Sequence, residues 1–221
     1  MFKKILVALA IALPALAFSG CAEANPDEPD QPGTETPKPD NPNRPAEMSV
    51  TINDDGTTSN GVHFRRENNQ SFWLNYVKYV IENSHIYVSN CDTTEVRHSL
   101  NGHVTIYSSI TIDGTKYAVR EISTLGFYRG TGLKSIYIPN SVTRISDDAF
   151  CNRITPNTSL NKIWLPANVQ LKQETFYFCK NLQEIYLQGS EPIQFSTDIY
   201  SSSNRFYPTF NSQTYSSCTV Y

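Results

Sequence analysis

The residues best suited to chemistry in this chain are aromatic, and they recur at fixed places in a repeated phrase. Tyr137, Trp164 and Tyr186 each stand in the fifth position of such a phrase, in Leu133-Lys-Ser-Ile-Tyr137, Leu160-Asn-Lys-Ile-Trp164 and Leu182-Gln-Glu-Ile-Tyr186. Strand alternation would turn Ile136 and Ile138 inward and send Ser135 and Tyr137 outward. It does the same for Lys162 with Trp164 and for Glu184 with Tyr186. Neighbouring strands lie ~4.8 Å apart, so these side chains are expected to form an exposed aromatic row, extended by Thr105. Large, stiff, amphipathic rings in a row are good contact residues for a protein partner, and they can stack on sugar rings. The competing reading is structural: aromatic cross-strand pairs stabilise a sheet by ~0.2–1 kcal/mol each. Lys162 beside Glu184 adds an ion pair of little energetic weight.

Catalytic and metal-binding patterns are missing from the sequence. It contains no His-Glu-x-x-His, no Gly-x-Ser-x-Gly, no phosphate-cradling glycine loop and no Cys-x-x-Cys. His63, His85, His98 and His103 are isolated from one another, and each reads as a surface residue. Asp147-Asp148 sits on a turn where adjacent side chains diverge, which suits a solvated corner better than an acid–base pair. The acidic turn Asn53-Asp-Asp-Gly56 lacks the alternating ligands and distant Glu of a calcium loop. The chain is therefore expected to be no enzyme and to hold no metal or cofactor. A formal net charge of −3 offers no basic field for nucleic acid.

The elements that position the aromatic row are the repeats themselves. The phrases begin 27 and then 22 residues apart, inside the 20–29 range of leucine-rich repeats. Val142 and Val169 follow Pro139 and Pro166 at equal distance. Ile145 precedes Phe150 by five residues, as Leu171 precedes Phe176 and Ile122 precedes Phe127. One such unit cannot bury its own apolar side, but stacked units share a continuous core. The longer interval comes from residues 151–159, read as an insertion loop. The expected fold is a β-rich leucine-rich-repeat solenoid with one short parallel strand per coil, few short helical turns, and an N-terminal β cap.

Four regions follow. Residues 1–20 read as a signal peptide, with Lys3 and Lys4, an apolar stretch and Ser19-Gly20. Cys21 directly after Ser-Gly resembles the lipobox of bacterial lipoproteins, although Phe18 replaces the usual Leu; the resemblance implies lipidation at Cys21 and a membrane anchor. Residues 21–47, with seven prolines between Pro26 and Pro45, read as a solvated tether reaching at most ~75 Å. Glu23, Asp27, Glu28 and Asp30 resemble the surface-export signal of some Gram-negative lipoproteins, which implies display outside the outer membrane. Residues 48–101 are the expected β-rich cap. Within it Ser49-Val-Thr-Ile52 reads as a strand, Lys78–Glu82 and His85–Ser89 as a hairpin, and Phe72 to Ile81 satisfies helical and strand periods alike. Residues 102–221 carry the repeats, with a hairpin turning at Asp113-Gly114. Cys91, Cys151, Cys179 and Cys218 allow three disulfide pairings; free, packed thiols are the preferred reading.

The phrases Ile-Tyr-Ile-Pro-Asn-Ser-Val-Thr-Arg-Ile-Ser-Asp-Asp-Ala-Phe150 and Thr-Phe-Tyr-Phe-Cys-Lys-Asn-Leu182 resemble the BspA-type leucine-rich-repeat family. Departures are Cys151 directly after Phe150, and Gly126 and Thr175 where the family has Ala. The resemblance implies adhesion, with a host matrix or bacterial surface protein as partner. Glycan capture for nutrient uptake and a purely structural envelope role are the alternatives.

Overall fold

The computed structural model describes residues 44–89, 100, 102–128, 130–150, 159–177, 179–189, 193–195 and 219–220. The expected signal peptide, Cys21, most of the expected tether, residues 151–158 of the expected insertion loop, and Cys91, Cys151 and Cys218 lie outside the described residues.

The repeated phrases form strands β9 (Leu133–Tyr137), β11 (Lys162–Pro166) and β13 (Glu184–Gln188). With β6 (Gly102–Thr105) and β15 (Thr219–Val220) they make a five-stranded parallel sheet in the order β15-β13-β11-β9-β6. The leucines explain why. Leu133, Leu160 and Leu182 are fully buried, as are Ile136, Ile163, Ile138 and Leu165. After each of β9 and β11 the chain crosses the core through Val142 or Val169, both fully buried. It then enters a second sheet through the two-residue strands β10 (Arg144–Ile145) and β12 (Gln170–Leu171). They pair in parallel with each other, and β10 also pairs in parallel with Glu121–Ile122 at the end of β8 (Thr115–Ile122). β12 in turn pairs with β14 (Gln194–Phe195).

A turn then returns the chain to the next strand. Its tight geometry places Leu125, Asp148 and Glu174 at φ near +60°, +56° and +51°, each two residues before a buried phenylalanine. Side chains other than Gly pay ~1–2 kcal/mol for that conformation, so the packing behind it must overdetermine it. The packing consists of Phe127, Phe150 and Phe176, stacked with centroids 5.2 Å apart at both steps. Backbone bonds join the turns from coil to coil: Phe127 N–H to Ala149 O (2.8 Å) and Phe150 N–H to Thr175 O (3.0 Å).

The second sheet continues into the earlier part of the chain. β2 (Phe64–Arg66), β3 (Ser71–Leu74), β4 (Val77–Glu82) and β5 (His85–Val88) pair antiparallel in sequence. β5 then pairs in parallel with β8. β7 (Ser109–Ile112) turns back onto β8 at Asp113-Gly114, both with positive φ as a type I′ turn requires. β1 (Ser49–Thr51) lies parallel to β7. The ambiguous run from Phe72 to Ile81 is a hairpin, because Asn75 adopts φ +50° and breaks the run in its middle. Phe72, Trp73, Leu74, Val77 and Tyr79 are all buried, and burial of both faces of β3 erased the alternation that would have marked a strand.

A candidate contact surface on the parallel sheet

The parallel sheet sets the register of the aromatic row. Thr105 pairs with Tyr137, Tyr137 with Trp164 and Trp164 with Tyr186. Two residues back, His103 pairs with Ser135, Ser135 with Lys162 and Lys162 with Glu184. All seven candidate contact residues therefore occupy two adjacent columns of one sheet.

Their exposure differs from the sequence expectation. Tyr137 is 1 % exposed, Ser135 4 % and Trp164 8 %, while Tyr186, Lys162, Glu184 and Thr105 are half-buried. Ser135 is partly covered by His103, whose Nδ1 lies within hydrogen-bonding distance of its hydroxyl. Over Tyr137 lies the chain just before β1: Arg44 Nη2 donates to its hydroxyl oxygen at 3.5 Å. Glu47, 3.6 Å from Arg44, accepts the backbone N–H of Asn140 at 3.0 Å. The cover is 93 residues away in sequence, and strand alternation carries no information about it. Burial pushes the Tyr137 phenol above its ordinary range.

The rings also cover one another. Trp164 and Tyr186 stack with centroids 5.2 Å apart and planes 15° from parallel. Lys162 Nζ sits 5.7 Å from each ring centroid and 3.0 Å from Glu184 Oε2. The Tyr186 hydroxyl donates to the same carboxylate oxygen at 2.7 Å. Burial alone would raise the Glu184 carboxyl, but the Tyr186 and Lys162 hydrogen bonds and the Lys162 charge outweigh it and hold the group below its usual range. The result is a rigid cluster of two stacked rings, an ammonium and a carboxylate.

Two polar atoms on this sheet have no hydrogen-bond partner among the described residues. Trp164 Nε1 and Gln188 Oε1 are buried and make no hydrogen bond. An orphan buried donor costs ~1–3 kcal/mol. Such a site is poised to gain an acceptor.

Other candidate groups lie elsewhere. Asp147 accepts the Gln173 N–H at 3.0 Å and thereby ties two turns together. Cys179 is a free thiol, fully buried, donating to Phe150 O at 3.5 Å; burial pushes its pKa well above the ordinary thiol value, so it is an unreactive packing group. Among the described residues no three His, Cys, Asp or Glu side chains gather as a metal site. Sequence reasoning missed a cavity of about 360 Å³ lined in part by Tyr76, Tyr79, His103, Thr105 and Tyr107. Its one strong signal was Tyr76, an aromatic in a turn, which is 48 % exposed.

Comparison with known proteins bears on the whole repeat region. No curated protein matches the chain. Three solved structures resemble it. One is a leucine-rich cell surface protein from Faecalibacterium prausnitzii: 20% identity, TM-score 0.42, 55% of this chain and 34% of that one. Another is a leucine-rich repeat protein from Bacteroides capillosus: 19% identity, TM-score 0.45, 58% of this chain and 89% of that one. The third is the pneumococcal vaccine antigen PcpA: 19% identity, TM-score 0.38, 58% of this chain and 40% of that one. The chain thus spans about a third of the first structure's length. The family model described as "BspA type Leucine rich repeat region" matches residues 104–216 in six copies. That match takes in half of the sequence, and the chain belongs to the BspA-type leucine-rich-repeat family.

Proposed function

We propose that this is a surface-displayed lipoprotein, anchored through Cys21 to the outer membrane, that mediates adhesion by binding an extracellular protein, with no enzymatic activity. In this reading the stacked units form a solenoid, residues 48–101 cap its first coil, and residues 21–47 hold it away from the membrane. The contact surface is the outward row of Tyr137, Trp164 and Tyr186 with Ser135, Lys162, Glu184 and Thr105. The observation that carries it is the unpartnered indole N–H of Trp164 in an in-register row of aromatics.

A protein partner is favoured over a glycan because of how the rings lie. Stacking on a sugar needs an open ring face, yet Trp164 and Tyr186 stack on each other and the ring of Tyr137 is fully buried. What the row leaves for a partner is ring edges and a buried, unsatisfied indole N–H, and these suit a polypeptide backbone. The test is to present the full chain to an array of immobilised extracellular proteins and to a glycan array side by side. Retention on the protein array alone supports the reading; retention on glycans alone replaces it with glycan capture.

A further inference from the structure

We propose that the outer edge of β6 is a strand-docking site. An extended segment of a partner protein pairs there with the backbone of His103 and Thr105 and places an apolar side chain in the cavity beside them. This rests on the partner being a protein, as proposed above, and names the part of it that is held and how.

Three observations carry it. First, β6 is the end strand of the parallel sheet, and among the described residues no strand pairs with its other side. Gly102 N–H donates to Gly132 O at 2.9 Å and Ile106 N–H to Tyr137 O at 3.0 Å. Alternate residues of a strand turn their N–H and C=O to opposite sides. Gly102, Val104 and Ile106 therefore serve β9, and the amides and carbonyls of His103 and Thr105 face outward. Such an edge is a template for one more strand, and main-chain bonds to it supply affinity whatever the peptide's sequence. Second, there is space beside it. The cavity of about 360 Å³ is lined by residues 103–105 of β6 and by Leu74, Asn75, Tyr76 and Val77 at the β3–β4 turn. That volume is at the small end of ligand sites, which suits a short segment. Third, the lining has two characters. Leu74, Val77 and Leu100 are buried and apolar, whereas Asn75, Tyr76 and His103 are exposed and carry polar atoms. An added strand turns its side chains alternately to opposite faces, so apolar and polar positions in alternation match this lining. It also prolongs the two columns of candidate contact residues, which end on β6 at His103 and Thr105. A sugar in the same cavity would leave the outward backbone groups of β6 unused.

The test uses the full ¹⁵N-labelled chain and a synthetic peptide of the strand that β6 already accepts on its paired side, residues 133–139. In the free protein the His103 and Thr105 amides should exchange with water at least about tenfold faster than those of Val104 and Ile106. Millimolar peptide should slow the first pair by about fivefold or more and leave the second pair unchanged. Peptides N-methylated at one residue at a time then read the mode. An added strand bonds the edge through every second N–H, so methylation should abolish the slowing at alternate positions and spare it between them. His103 and Thr105 amides as protected as Val104 in the free protein overturn the proposal, as does exchange unaltered by the peptide. Loss or tolerance at every methylated position also overturns it, and assigns the cavity to side-chain recognition. The two proposals fail separately. If the peptide docks as predicted but Trp164→Phe leaves affinity for a retained extracellular protein intact, the edge stands and the aromatic row falls. If exchange does not respond but Trp164→Phe weakens that affinity, the reverse holds.

Discussion

Two aromatic ladders run through this protein with the same step, and their surroundings are opposite. Phe127, Phe150 and Phe176 are stacked at 5.2 Å inside the core, all at 0 % exposure. Trp164 and Tyr186 are stacked at 5.2 Å on the outer side of the parallel sheet. The inner ladder is sealed by its own repeat, since each unit supplies a ring and the apolar columns around it. The outer ladder carries polar handles: a phenol tied to Arg44, an indole N–H with no acceptor, and a hydroxyl on Glu184. Equal geometry thus gives a structural spine where the rings are apolar and enclosed, and the proposed contact surface where each ring keeps a polar edge.

The comparison predicts a hierarchy of damage. Phe150→Ala removes the middle ring of the inner ladder, with a stacked neighbour on each side, and should cost ~3–5 kcal/mol in chemical denaturation. A loss no larger than that of Trp164→Ala would erase the distinction between the ladders. Next comes Gly126→Ala, beside Phe127. A Cβ there would meet Ile122 Cγ2 at 2.7 Å and Ser123 O at 3.0 Å, so it should cost ~1–3 kcal/mol, although the equivalent position in the next coil is Ala149. An unchanged melting midpoint would show that the first coil is packed more loosely than the others. The smallest effect belongs to the outer cluster. The folded-state pKa of Glu184 is depressed below an unfolded value of ~4.3. Its contribution is therefore full above that pH and is lost as pH falls through the folded value. Glu184→Gln should flatten the decline in stability across that window. Because the pair is about a third exposed, the change should be small and reduced by salt.

Much of this architecture could be read from the chain, for a physical reason that also marks where reading stopped. Leu133, Leu160 and Leu182 occupy the same place in successive units, and identical packing demands identical residues, so the columns of both ladders are visible as repeated letters. The hairpin at Asp113-Gly114 was equally plain, because a type I′ turn imposes positive φ that few residue pairs accept. β3 and β4 were obscure because their apolar residues run continuously and the break at Asn75 depends on a single backbone angle. The burial of Tyr137 was invisible because it depends on Arg44 and Glu47, far away in sequence. Local pattern identifies which residues share a face; it does not say what lies on top of that face.

The central claim, that the outer ladder is where a partner is held, is tested most directly by the affinity of Trp164→Phe for an extracellular protein retained by the full chain. Phenylalanine keeps an aromatic ring in the stack and removes only the indole N–H and its ring edge. The account predicts affinity weaker by about tenfold or more, the worth of one buried hydrogen bond whose partner is left unpaired, with the melting midpoint nearly unchanged. Wild-type affinity in that variant would contradict it.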